Sequence, residues 1–348
     1  MNDELSRKIT NTSFILTLLI VLLHSECLSY LNNTSNYYII IKVVCNFILS
    51  ICAIAVPTFF SISGYLFFIN YDNSKYFYKL KTRIKSLCIP YLCWSTIMLL
   101  LFVIISNMPQ FQMFDGIFTP IEYNSIFMIK SIFLATYDGV LWYIRDLLFF
   151  ALISPIIYIV CKKCKWFNYV IVFLLVLLNL LFKIDYYNPL FWLPIYLISS
   201  YFAINYSDKA INFKFNTFIL KFLQMLIVVV YLFLLILHTN YKDNYYIFYF
   251  YRFFSPIFVY FVIIGIDLFK HKIKLSKYAF LIYCSHRWGT IIIKKSLILV
   301  FGLNGISCII FQFLTAISTI LIVLLIVKVL EKVFPKFLLV LSGNRISN

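Results

Sequence analysis

Charge is scarce in this chain, and acid is scarcer. Only 12% of its 348 residues are Asp, Glu, Lys or Arg, and 13 acids stand against 30 bases. Glycine (8), proline (9) and histidine (4) are few. There is no P-loop, no GxGxxG and no HExxH, which argues against an ATP-driven pump and a zinc protease. What fills the chain is apolar: 63% hydrophobic, 20% aromatic, with a mean hydropathy of +0.94. No soluble globule has enough interior for that much apolar surface. Cysteine is present nine times. Most of these lie in apolar stretches, and Cys161 and Cys164 have CxxC spacing with no second pair and no nearby His, so ordinary thiols are expected and no metal site.

The fold class read from this composition is all-α: a polytopic membrane helical bundle. About ten stretches are long enough to span, near 13–31, 39–69, 88–106, 141–160, 167–183, 189–204, 217–238, 247–269, 279–301 and 306–330. The first has no small-residue cleavage site after it and reads as a retained span. The basic residues sort by side. With the N-terminus in the cytoplasm, the inner loops hold Arg7 and Lys8, the run Lys75 to Lys85, Lys162 to Lys165, Lys209 and Lys214, Lys270 to Lys277, and Lys328, Lys332, Lys336 and Arg345. The outer loops hold only Lys130, Lys183 and Lys242. Both termini are therefore expected inside. Topology and anionic lipid account for the net charge of +17 without nucleic acid. The longest outer loop, 107–140, contains Pro109, Pro120 and a short amphipathic run, Ile126 to Leu134, that would lie on the outer surface or re-enter between helices. One integral-membrane domain over 1–348 is expected, with no linker and no internal repeat.

Against this background the intramembrane ionisable residues stand out, because they are costly to insert. His24 falls in the first span, ~20 Å from its inner end. It either serves chemistry or hydrogen-bonds a neighbouring helix. Arg145 and Asp146 follow Trp142 and Tyr143, with Arg145 roughly 6 Å below the outer start of its span. They either face a site at the depth of His24, or Arg145 snorkels outward onto Asp146. Glu26, two residues beyond His24, lies on another helix face, so Asp146 is the better orienting partner. His286 and Arg287, about 12 Å deep by the same count, require a polar cavity, and Lys294 and Lys295 follow on the same span. Ser61, Ser63, Gly64 and Tyr65 near the inner side either permit close helix packing or line a path. Arg83 and Lys85 are topology determinants or phosphate ligands.

Five of these segments, in order, resemble the membrane acyltransferase-3 family, bacterial integral-membrane O-acyltransferases of surface polysaccharides. They are Ile20-Val-Leu-Leu-His24-Ser25; Val56-Pro-Thr-Phe-Phe-Ser-Ile-Ser-Gly-Tyr65-Leu; Lys81-Thr-Arg83-Ile-Lys85 through Ile89-Pro90-Tyr91; Leu141-Trp-Tyr-Ile-Arg145-Asp146-Leu with Ser154-Pro155; and Ile282-Tyr-Cys-Ser-His286. The resemblance implies no bound cofactor. It implies a cytosolic acyl-CoA, acetyl-CoA foremost, as donor, and a lipid-linked or exported glycan as acceptor, at the bacterial cytoplasmic membrane. Arg83 and Lys85 would hold the donor, with Ser63, Tyr65, His286 and Arg287 along its path. His24 would be the general base on the sugar hydroxyl or carry the acyl group transiently, a task suited to neutral imidazole. Arg145 would stabilise oxyanion charge or bind the acceptor, posed by Asp146, and Trp142 and Tyr143 would stack on a sugar ring.

Three positions depart from the family pattern: Ser13 and Ser86 stand where a basic residue is usual, and Arg287 where an acid is frequent. Lys42, Arg252 and Lys294 are the cations that would stand in for a base at 13. A reading from another class is a transporter or flippase of a lipid-linked glycan, since scattered cations suit an anionic passenger; the lack of an inverted repeat speaks against it.

Overall fold

The computed structural model describes residues 3–32, 37–108, 124–163, 165–211, 218–264 and 270–346. Pro109, Pro120, Cys164 and Lys214 lie outside them. The described residues contain no strand, and each of the ten apolar stretches contains helix. The order is α1 (Asp3–His24), α2 (Tyr38–Cys52), α3 (Ala55–Phe68), α4 (Tyr76–Arg83), a π-helical segment Ile84–Cys88, and α5 (Ile89–Ser106). Next come α6 (Ser125–Leu134), α7 (Trp142–Leu152), α8 (Ser154–Lys163), α9 (Lys165–Phe182) and α10 (Pro189–Ile211). The chain continues with α11 (Phe218–Asn240), α12 (Tyr245–Phe258) running into a π-helical segment, a 3₁₀ turn Lys274–Tyr278, α13 (Ala279–Phe301), α14 (Gly305–Val333) and α15 (Pro335–Leu341).

Five helical stretches among the described residues are long and apolar enough to cross a bilayer: Asp3–Tyr30, Tyr38–Phe68, Asn73–Ser106, Phe218–Asn240 and Gly305–Val333. A sixth is broken: α7 and α8 meet at 62°. Proline at 155 has no N–H to continue a helix from α7, and the Ser154 hydroxyl turns back onto the Ala151 carbonyl at 2.8 Å. The amphipathic run 126–134 lies in α6, packed on α5. Near its end the carbonyls of Ile132 and Phe133 accept from Ser95 Oγ (2.8 Å) and Tyr91 Oη (2.6 Å) respectively.

The bundle is apolar outside and buries polar side chains among its apolar core. On α11, Phe218, Phe222, Met225 and Phe233 are exposed, as are Ile306, Ile310 and Leu325 on α14. A surface of that kind faces lipid. The inner faces carry Asn11, Thr12 and Thr17 (α1), Thr290 and Lys294 (α13), and Gln312, Thr315 and Thr319 (α14), all buried.

One contact sets the registry of the two helices that carry His24 and His286. The Asn11 side chain donates to the His271 carbonyl at 2.9 Å and accepts from the Ile273 N–H at 2.9 Å. From that clamp α1 and α13 run side by side. His24 lies thirteen residues beyond Asn11 and His286 thirteen beyond Ile273, so each climbs ~20 Å and they arrive level. Counting His286 only from Tyr278 omits the 3₁₀ turn and underestimates its depth.

Gly64 decides a second crossing. A Cβ there would lie 2.9 Å from the Tyr196 carbonyl on α10 and would also collide with Ser199 Oγ. A serine can rotate; a helix carbonyl cannot. Gly64→Ala is expected to destabilise the bundle by about 1–3 kcal/mol, the usual cost of overpacking, and Gly64→Leu to prevent accumulation in the membrane. Thermal unfolding of the detergent-solubilised protein measures the first and membrane immunoblotting the second.

Candidate active site

His24 is the last residue of α1, and the ring beside it is His286. The two centroids are 5.2 Å apart with planes inclined at 41°. His286 is fully buried. Its Nδ1 lies 2.7 Å from the Tyr283 carbonyl and 3.2 Å from that of Ile282. Carbonyls only accept, so Nδ1 carries the proton and Nε2 holds a lone pair. That Nε2 is buried and makes no hydrogen bond among the described residues. The His24 ring is partly accessible and likewise forms none.

The end of α1 is held by a cation. Buried Lys294 donates its Nζ to the carbonyls of Glu26 (2.7 Å) and His24 (3.4 Å). The His24 carbonyl is one of the terminal carbonyls that a helix leaves unbonded, the Glu26 carbonyl lies just beyond them, and positive charge is favoured there. Gln312 Nε2 takes the Leu22 carbonyl at 3.3 Å. The Glu26 carboxylate turns away to the Ser29 N–H (2.6 Å) and hydroxyl (3.2 Å). Lys42 is exposed, and Arg252 is stacked on Phe248 with its guanidinium carbon 3.8 Å from the ring centroid. Lys294 is thus the cation beside His24. Ser13 lies ~16 Å down the helix, so Lys294 does not occupy its place.

Two further charges complete the cluster. Arg287 follows His286 and acts electrostatically on both histidines. Among the described residues its guanidinium makes no hydrogen bond and no ion pair. Asp138, in the turn between α6 and α7, is 1% exposed. Its Oδ1 accepts weakly from the Val140 N–H at 3.4 Å, and Oδ2 has no partner among the described residues. Tyr283 Oη donates to the Val140 carbonyl and ties this turn to α13. Burial pushes the Asp138 carboxyl up to about 7, against the opposing pull of the Val140 N–H and Arg287. Sequence reasoning missed Asp138 because the turn was read as solvated outer loop. Only an acid placed four residues before Trp142 marks it.

The other sequence-nominated residues fall into separate groups. Arg145 pairs with Asp146 through Nε (3.2 Å) and Nη2 (3.1 Å), and Nη2 also donates to the Tyr187 carbonyl at 2.9 Å. Asp146 is fully buried and is taken up by Arg145, so the ring that stands against His24 is His286. Trp142 stacks on Trp192, with centroids 5.9 Å apart, and meets Tyr187 edge-on. Tyr143 joins Ser63, hydroxyl to hydroxyl at 2.8 Å, and donates to the Phe59 carbonyl at 3.1 Å. Its ring lies 6.0 Å from Tyr283, and Tyr283 lies 6.2 Å from His286. An unbroken file therefore runs from Ser63 through Tyr143 and Tyr283 to the histidines.

Tyr65 is on another face of α3. With Thr58, Ser61 and Ile62 it lines an apolar cavity of about 410 Å³ between α1, α3, α10 and α12. Arg83 ends α4 with its guanidinium 5.2 Å from the Phe67 ring centroid. Lys85, two residues on, is exposed. Of the CxxC pair, Cys161 is buried against Asn168 and the Leu197 carbonyl. No group of His, Cys, Asp or Glu among the described residues has the arrangement to hold a metal ion.

A buried carboxyl that keeps its proton to about pH 7 makes stability pH-dependent. In the unfolded chain an aspartate titrates near 3.9. The folded protein binds the proton more tightly, so this contribution is complete below roughly pH 4 and declines as pH rises to about 7. The melting temperature of the wild type should fall across that window relative to Asp138→Asn. Parallel profiles would remove Asp138 as the cause.

The chain matches the family model described as an acyltransferase domain, of the acyltransferase-3 type, over residues 14–328. No curated protein and no solved structure matches it. The matched segment contains His24, Asp138, His286, Arg287 and Lys294, and in a polytopic helical membrane protein it establishes that the chain belongs to the membrane acyltransferase-3 family and is an acyltransferase.

Proposed function

We propose that this enzyme moves an acyl group, acetyl foremost, from cytosolic acyl-CoA to a hydroxyl of a surface or exopolysaccharide precursor. It would do so in the cytoplasmic membrane of a bacterium, as one domain over 1–348 with about ten spans and both termini inside. The observation that carries the reading is the His24–His286 pair beside an Arg287 guanidinium that makes no hydrogen bond or ion pair among the described residues.

His24 is the general base. As the sugar oxygen bonds to the acyl carbon, its proton passes to the His24 imidazole. The carbon–sulfur bond then breaks, and the departing CoA thiolate takes that proton from His24. The products are a sugar ester and free CoA. His286 is a positioning residue: its Nδ1–H is spent on backbone carbonyls, which leaves the Nε2 lone pair free to accept an N–H from the facing His24 ring when the two rings close up, and so to select one His24 tautomer. Arg287 has unused donors where the tetrahedral oxygen gains charge, and Lys294 adds a fixed positive charge nearby. Arg145, held by Asp146 beside Trp142, lies on the acceptor side, where a ring can stack a sugar and a guanidinium can bind its hydroxyls or phosphate. Ser63, Tyr143 and Tyr283 line the route of the thioester from Arg83 inward. Acyl-CoA is a substrate here and no bound cofactor is invoked.

General-base assistance is typically worth about 10²–10⁴ in rate. His24→Ala should therefore lower glycan acylation by that factor, and His286→Ala should lower it less while leaving the level of protein in the membrane unchanged. Mass spectrometry of glycan from intact, deleted and mutant cells, before and after mild base, measures both. If alkali-labile acyl mass is unchanged on deletion while exported polymer falls, the acceptor assignment is wrong and the chain serves export.

A further inference from the structure

The inner mouth contains a cation that lies beyond the segment matched to the family. After α14 the chain turns under the bundle as α15, and the turn that follows is pinned to the start of α5. Trp94 Nε1 donates to the Leu341 carbonyl at 3.1 Å. Gly343 and Asn344 both adopt left-handed backbone, with φ of 61°. At 343 a side chain would strike the Ser86 carbonyl, so the two backbones touch. The next residue, Arg345, donates Nη1 to the carbonyls of Ser86 (2.8 Å) and Ser342 (2.9 Å). Its guanidinium carbon lies 3.9 Å from the Phe280 ring centroid on α13's first turn.

Ser86 sits inside the π-helical segment Ile84–Cys88, and Arg83 is the residue that caps it. Arg345 and Arg83 are thereby brought within one helical turn of the same backbone. Each acts electrostatically on Tyr143, and they oppose each other. Among the described residues no carboxylate pairs with either. Arg83 makes no hydrogen bond there, and Arg345 uses one of its three nitrogens. Two guanidinium groups with spare donors, anchored on the same stretch of backbone and without a paired carboxylate, repel unless an anion bridges them. Arginine's planar fork suits phosphate oxygens. Lys85, by contrast, is exposed and is not tied into this arrangement.

We propose that Arg345 and Arg83 together form the phosphate-binding site for the donor, with the turn 342–346 as one wall of the donor mouth. The assignment rests on the acyl-CoA reading above and deepens it. A cation absent from position 86 is supplied at the same backbone from the other end of the chain. Arg345 is fixed by two carbonyls and an aromatic face, and its Nε and Nη2 N–H groups are not used by these contacts.

The test uses the full chain purified in detergent. Its melting temperature is followed with millimolar inorganic pyrophosphate and, separately, with CoA, at constant ionic strength. Wild type, Arg345→Gln, Arg345→Lys, Arg83→Gln and Lys336→Gln are compared. Lys336→Gln removes one charge from exposed α15 and controls for net charge. The expected result is a pyrophosphate-induced rise in wild type and Lys336→Gln that is lost in Arg345→Gln and Arg83→Gln and partly restored in Arg345→Lys. Loss of one charge-assisted contact corresponds to about tenfold or more in affinity. A merely structural Arg345 would lower the melting temperature without ligand and leave the pyrophosphate-induced rise intact, which overturns the proposal. So does absence of any rise in wild type. A rise with pyrophosphate that depends on Arg345, but none with CoA, upholds the anion site and sinks the acyl-CoA donor instead.

Discussion

The structure depends on the clamp between Asn11 and the 271–273 backbone. In a bilayer each unsatisfied polar group costs several kcal/mol, so a buried side-chain amide that meets a carbonyl and an N–H at once is a strong positional constraint. Here it joins α1 to the segment that leads through a 3₁₀ turn into α13. Because thirteen residues of helical chain follow on each side, the heights of His24 and His286 are settled some 20 Å away. A slip of one helical turn, about 5.4 Å, would separate the two rings and carry Lys294 away from the end of α1.

The cations divide by what they are bonded to. Lys294 is spent on the carbonyls at the end of α1, and Arg145 on Asp146 and the Tyr187 carbonyl. Both are structural charges that also set a field. Arg287 and Arg83 are not spent in this way. A cation without a bonded anion in a low-dielectric bundle is costly unless a charged substrate passes there. The two lie at opposite ends of the file formed by Ser63, Tyr143, Tyr283 and the histidine pair. One end suits anionic phosphates and the other the oxygen of a transfer intermediate. Asp138 beside Arg287 is the exception, a buried acid whose charge is opposed by burial and balanced by that guanidinium.

Much of this was legible in the sequence, and the pattern of what was not is informative. The helical membrane class, the ten apolar stretches, the family and the choice of His24, His286 and Arg287 as candidates follow from residues read in order. Ser63 was nominated with Tyr65 because they share a motif, yet Ser63 meets Tyr143 while Tyr65 lines the apolar cavity, since positions i and i+2 on a helix point apart. Asp146 was nominated to orient His24 from matching depth alone; depth does not give azimuth, and it pairs with its neighbour Arg145. Asp138 and Arg345 were invisible as site residues because each sits in a short turn whose burial comes entirely from distant segments.

The sequence by itself determined what crosses the membrane and what cannot rest in it, because the cost of placing a side chain in hydrocarbon is local to each residue. It also carried the order of the motifs, and with it the family. Which polar groups meet was decided only by tertiary structure. Meeting requires the relative height and rotation of two helices. In this chain those quantities are set by Asn11 on one helix and a backbone turn 260 residues away, by the absence of a side chain at Gly64, and by Arg345 reaching back to Ser86.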